Sequence, residues 1–245
     1  MNLPKLRDNK RRKRDDVYSL GEIPKNVITE IGKRIAYSLA IGKSDISGED
    51  WGDIFSKSID GDHLNKPFGL ADVVKNGMAW SVKSVKNKRP HKCNKIRVIS
   101  GRCSPGHSYG INNPHEDILS TGRAVLEIWN ERVNLAKNDY EPLRSSVLIR
   151  NPNTLEFTIY EHELGRFNIK EHSWEKNKNG NLEGKRKTDQ KHVFTWQPHG
   201  SQLTIIYDVP ISSIKFRVKR PPVLDFNKTL DQIGFDSSSW IEIVE

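Results

Sequence analysis

The stretch Gly69–Lys83 constrains the fold of this chain more than any other. It reads Gly69-Leu70-Ala71-Asp72-Val73-Val74, then Lys75-Asn76-Gly77, then Met78-Ala79-Trp80-Ser81-Val82-Lys83. Asn-Gly accepts the left-handed backbone that a two-residue hairpin turn needs at both central positions. Two apolar runs around it therefore predict a β-hairpin. Side chains alternate between faces along a strand. Asp72 is then on the first strand, and Ser81 and Lys83 share a face of the second.

An Asp beside a Lys, amid apolar neighbours, is a layout suited to metal-assisted phosphodiester cleavage. The carboxylate can hold a divalent cation, and the ammonium can stabilise the attacking water or the charge building on the phosphate. The neighbouring sequence sharpens this. From Val73 to His115 there is no Asp or Glu, while Lys75, Lys83, Lys86, Lys88, Arg89, Lys92, Lys95, Arg97 and Arg102 all fall within that span. So long a stretch of one sign makes a positive field whose natural partner is a polyanion. A solvated basic surface is the plainer alternative.

The whole chain carries a net charge of +9 over 245 residues, which again favours nucleic acid. Two cysteines point to a reducing compartment rather than a disulfide scaffold. No apolar run approaches the ~20 residues that span a bilayer, and no secretory apolar region follows the N-terminus. A cytoplasmic location without membrane association is expected. Residues 1–20 are polar and contain Lys10-Arg11-Arg12-Lys13-Arg14, the composition of a flexible tail that binds phosphates without sequence preference. Residues 21–245 are expected to form the folded domain.

Apolar spacing predicts helices over Val27–Leu39 and from the capping box Ser47-Gly48-Glu49-Asp50 through Ile59, and a long one from Pro114 to Ala136. Strands are predicted at Ile96–Ile99, Ser146–Ile149, Leu155–Tyr160, His192–Trp196, Leu203–Tyr207, Lys215–Lys219 and Trp240–Val244. Lys170–Lys191 reads as a loop or hairpin excursion. The alternation predicts an α/β fold with a mixed central sheet flanked by helices.

Asp72 followed, after a short spacer, by Ser81-Val82-Lys83 resembles the PD-(D/E)xK phosphodiesterases, and especially the type II restriction endonucleases. Ala71 stands where that pattern often has Pro, and Ser81 where it usually has a second acid; some restriction enzymes of the family carry Ser-x-Lys. The resemblance covers roughly Ile28 to Arg150. It implies an α-β-β-β-α-β core, with additional strands here toward the C-terminus. It also implies Mg²⁺-dependent, site-specific cleavage of double-stranded DNA by a homodimer. A methyltransferase acting on the same site, not held as a stable partner, is the companion activity that a restriction enzyme implies.

The site residues expected on this reading are Asp72, Ser81, Lys83 and a second acid. A lone carboxylate binds Mg²⁺ poorly, and the acid-free span requires the second acid to come from outside Val73–His115. Glu49, Asp53, Glu116 and Glu127 are candidates. The family's frequent use of an acid on the first core helix favours Glu49, so Asp72 and Glu49 are the expected metal ligands. Lys86, Lys88, Arg89 and Arg102 are expected on DNA. In the segment Phe194–Gln202, the side chains of Gln197, His199, Ser201 and Gln202 have the donors and acceptors to read base edges. A plain turn on Pro198 and Gly200 is the alternative. His91, Cys93, Cys103, His107 and His115 lack the paired spacing of a zinc site. A DNA-binding module without catalysis, and an RNA-directed nuclease, are the rival functions.

Overall fold

The computed structural model describes residues 17–64 and 69–244. The basic run Lys10–Arg14 lies outside these residues. The first described residues already belong to the fold. Tyr18 is buried, which moves the start of the packed domain ahead of the boundary expected at residue 20.

The chain opens with helices α1 (Lys25–Ala40) and α2 (Gly48–Ser58). Val27, Ile31, Ile35 and Leu39 form the buried stripe of α1. In α2 the Ser47 hydroxyl takes the Asp50 N–H, and the Asp50 carboxylate takes the Ser47 N–H, a reciprocal cap. Strands β1 (Asp62–His63), β2 (Val73–Lys75) and β3 (Met78–Lys86) follow. Asn76 and Gly77, with φ of 51° and 78°, make the tight turn between β2 and β3, as their sequence predicts.

The chain then leaves the hairpin as β4 (Lys95–Arg102), the short α3 (Pro105–Tyr109) and the long α4 (Ile118–Asp139). It returns as β5 (Leu143–Asn151) and β6 (Glu156–Glu163). The remaining strands are β7 (His172–Lys176), β8 (Leu182–Arg186), β9 (His192–Gln197), β10 (Gln202–Asp208) and β11 (Ile214–Arg217). Two short helices, α5 (Phe226–Gln232) and α6 (Ser237–Trp240), end the described chain.

These strands form two sheets. The first has the order β1-β2-β3-β5-β6-β11 and is mixed: β5 runs parallel to β3, and the other neighbours are antiparallel. A parallel return needs a long crossover, and α4 lies within it. The second sheet, β4-β10-β9-β8-β7, is antiparallel throughout. Of the later strands only β11 extends the first sheet. Strands β7–β10 recruit β4 from the middle of the chain and build a second sheet. Lys170–Lys191, read as a loop or hairpin excursion, contains the β7–β8 hairpin, and the strand expected at Trp240–Val244 does not form.

The first sheet has an apolar cluster on each face. Trp80, Val82, Val73 and Phe157 pack under α1 and α2. Ala79, Leu143, Ala71 and Leu70 pack with Val125, Trp129 and Val133 of α4 and with Phe194 and Trp196 of the second sheet. Gly122 lets α4 approach β7: a Cβ there would lie 2.2 Å from the Trp174 ring.

Candidate functional site

Asp72 sits one residue before β2, where β2 and β3 part. The last ladder bond of the pair runs from the Asp72 N–H to the Trp80 carbonyl, at 2.9 Å. The next inward-pointing donor on β3 is the Val82 N–H. It meets no carbonyl of the departing strand but the Asp72 carboxylate itself, at 2.8 Å to Oδ2. Side chain replaces main chain as acceptor, so Asp72 both ends the ladder and is locked in orientation.

The same oxygen accepts from Ser81 Oγ at 3.2 Å and from Lys83 Nζ at 3.0 Å. Ser81 and Lys83 reach it together because they are two apart on β3. They point to the face of the sheet that carries Ala79, the face covered by α4 and the second sheet. All three contacts fall on Oδ2, which leaves Oδ1 without a donor among the described residues. On the far side, the Asp72 carbonyl accepts from the Leu64 N–H at 2.7 Å. Both charged groups keep solvent contact, with side chains 22% (Asp72) and 26% (Lys83) exposed.

The four acids weighed as second metal ligand are not brought to this cluster. Glu49 is exposed on the first turn of α2, whose buried residues Trp51, Ile54 and Phe55 pack on the opposite face of the sheet. Asp53 pairs with His63 Nδ1 at 2.9 Å. His63 stands opposite Val73 and so shares that opposite face. Glu116 is exposed ahead of α4, and Glu127 faces the Tyr109 hydroxyl of α3. No group of three or more His, Cys, Asp or Glu side chains placed to hold a metal occurs among the described residues. His91 instead directs Nε2 at the carbonyls of Phe157 and Phe216, at 3.2 and 3.0 Å. Cys103 is buried, and burial pushes its thiol up to about 11.

The residues expected on DNA divide into two groups. Lys86 pairs with Asp45 at 2.9 Å, beside the two-pronged Arg150–Asp45 contact, and ties the loop before α2 to the ends of β3 and β5. Lys88 and Arg89 are exposed in the connection to β4. In the second sheet, Gln202 stands directly opposite Gln197 on one side and Arg102 on the other. Opposed residues share a face. The three therefore form a row at one end of the sheet, on the face away from buried Leu203. His199 and Ser201 lie in the turn that joins the two glutamines. Gly200 and Ser201 adopt φ of 82° and 53° there, so the segment is a true turn as well as a carrier of polar side chains.

Sequence reasoning missed two things. One is the Val82 N–H, a main-chain donor that no residue pattern marks. The other is a second ionic cluster on the opposite face. Tyr18 Oη donates to Glu161 Oε1 at 2.7 Å, and Arg144 Nη1 lies 3.7 Å from Glu161 Oε2 and donates to the Tyr18 carbonyl at 2.9 Å. Burial pushes the Glu161 carboxyl up to about 7, against the lowering pull of the Tyr18 hydroxyl and the Arg144 charge. Comparison of the chain with family models, with curated proteins and with solved structures gave no match.

Proposed function

We propose that this chain is a Mg²⁺-dependent endonuclease of restriction type that cleaves double-stranded DNA. The observation that carries the reading is the Asp72 carboxylate at a parting of two strands, fixed through one oxygen by Ser81, Val82 and Lys83. Two further observations support it. The order α2-β1-β2-β3, then α4-β5, is compatible with the α-β-β-β-α-β core that the resemblance implies when β4 and α3, which stand between β3 and α4, are taken as insertions. The acid-free span of basic residues begins at β2 and passes through β3 and β4.

Oδ1 of Asp72, which has no donor among the described residues, suits a hard cation. Asp72 by itself would hold Mg²⁺ only weakly, so water and the phosphate oxygens of bound DNA would have to complete the octahedron. The bound ion would supply charge neutralisation at the phosphate and a more acidic water. The rest is the work of this chain. Ser81 and the Val82 N–H keep the carboxylate aimed as its electrostatic surroundings change. Lys83, already within 3.0 Å of Asp72, is placed to transfer a hydrogen bond to a phosphate oxygen as negative charge grows there. Arg102, Gln197 and Gln202 offer one basic and two amide side chains in a row, and a glutamine can pair with adenine through two bonds. Two strands to cut call for two copies of the chain.

Supercoiled plasmid with Mg²⁺ should give discrete bands, and EDTA should stop the reaction. Asp72→Asn and Lys83→Ala should each lower cleavage by roughly 100-fold or more while DNA binding persists. Gln197→Ala or Gln202→Ala should cost about 1–3 kcal/mol of discrimination at one base position, read by competition between cognate and altered duplexes. Salt-sensitive binding with no cutting under any divalent cation would favour the DNA-binding module instead.

A further inference from the structure

Apolar exposure among the described residues is concentrated at their end. Eight of the sixteen exposed large apolar side chains among them fall between Val223 and Val244, and neither α5 nor α6 has a buried residue. Helices of 7 and 4 residues are too short to persist by themselves. Yet Phe226 and Leu230 of α5, with Ile233 at its C-cap, stand at the i, i+4, i+7 spacing by which a helix seats in a groove. The arm touches its own domain at the end of α1, where the Leu224 N–H donates to the Ala40 carbonyl at 2.8 Å. Tyr37 and Ile41, beside that contact, are also exposed, so the apolar surface continues from the arm onto the domain.

Charge narrows the choice of partner. Residues 221–245 carry Asp225, Asp231, Asp236, Glu242 and Glu245 against Lys228 alone, a net −4 in a chain of net +9, which leaves +13 on the rest. An acidic arm is repelled by phosphates, so DNA does not cover it. It is attracted to a basic protein surface, and the body of this same chain is one. We propose that residues 223–244 dock on a second copy of this chain, each copy lending its arm to the other across a two-fold axis. Reciprocal exchange satisfies both arms and closes the assembly. The requirement for two copies rests on the nuclease reading above; the test reads mass rather than cutting.

Sedimentation velocity of the full chain in the micromolar range should report twice 28.1 kDa. Phe226→Asp combined with Ile233→Asp should shift it to 28.1 kDa while the chain still unfolds cooperatively, because neither residue is buried within one copy; the melting temperature should fall only by what the lost partner contributed. Asp231→Lys with Glu242→Lys should weaken the dimer, and this loss should be largest at low salt. A wild-type chain that stays at single mass, including one that floats with phosphatidylcholine vesicles instead, overturns the proposal. So does a double Asp variant that remains dimeric. A dimeric chain that fails to cut DNA would leave the arm in place and remove the nuclease reading.

Discussion

Two ionic clusters occupy opposite faces of one sheet, and they differ in what surrounds them. In the first, the Asp72 and Lys83 side chains are about a quarter exposed. In the second, the Arg144 and Glu161 side chains are 3% and 0% exposed, with Tyr18 closing over them. Water near the first pair screens it and lets each partner change its bond. Around the second, a low dielectric makes the same kinds of charge costly to separate. The contrast teaches that an ion pair's burial, more than its presence, decides whether its partners are locked or can exchange with solvent. The buried pair holds the chain at Val17 and Tyr18 against β5 and β6, whereas the quarter-exposed one stays in contact with solvent.

The comparison can be broken most forcefully at Arg144. Arg144→Ala leaves the Glu161 carboxyl buried without its cation and should destabilise the protein by about 3–5 kcal/mol, measured as the shift in urea midpoint at constant slope. Next comes the pH dependence. Folding raises the Glu161 carboxyl from its ordinary 4.5 to about 7, so the native state keeps a proton that the unfolded chain has lost. Stability should therefore fall as pH rises from about 4.5 to about 7, by at most about 3 kcal/mol from this group. Glu161→Gln should remove that part of the decline, seen as the difference between the two stability profiles. The smallest effect is expected on the other face: Lys83→Ala should cost less than about 1 kcal/mol, because a solvent-screened pair contributes little. A Lys83 variant as unstable as the Arg144 variant would erase the distinction and make the Asp72 cluster a structural strut.

Much of this was legible before any coordinates. Asn76-Gly77 specified its turn through the backbone it tolerates, and the period of two then put Ser81 and Lys83 on one face beside Asp72. The helical stripes at Val27–Leu39 and in α2 and α4 were equally local signals. Glu49 was not legible, because which face of the sheet α2 covers depends on Phe55, beside Trp51, packing against Trp80 and not on the helix's own sequence. The run Trp240–Val244 has strand-forming residues, but among the described residues no strand pairs with it.

By itself, then, the sequence determined what neighbours along the chain can decide: turn chemistry, alternation, helical faces, caps and the sign of the charge. The tertiary structure alone decided that β4 deserts the hairpin to pair with β10, that β3 and β5 lie parallel, and that Tyr18 meets Glu161 across 143 residues. The physical reason is that such pairings are chosen by burial summed over distant elements. A strand's residues state that it can pair, while the partner is set by which arrangement leaves the fewest apolar groups in water and the fewest polar groups without a bond.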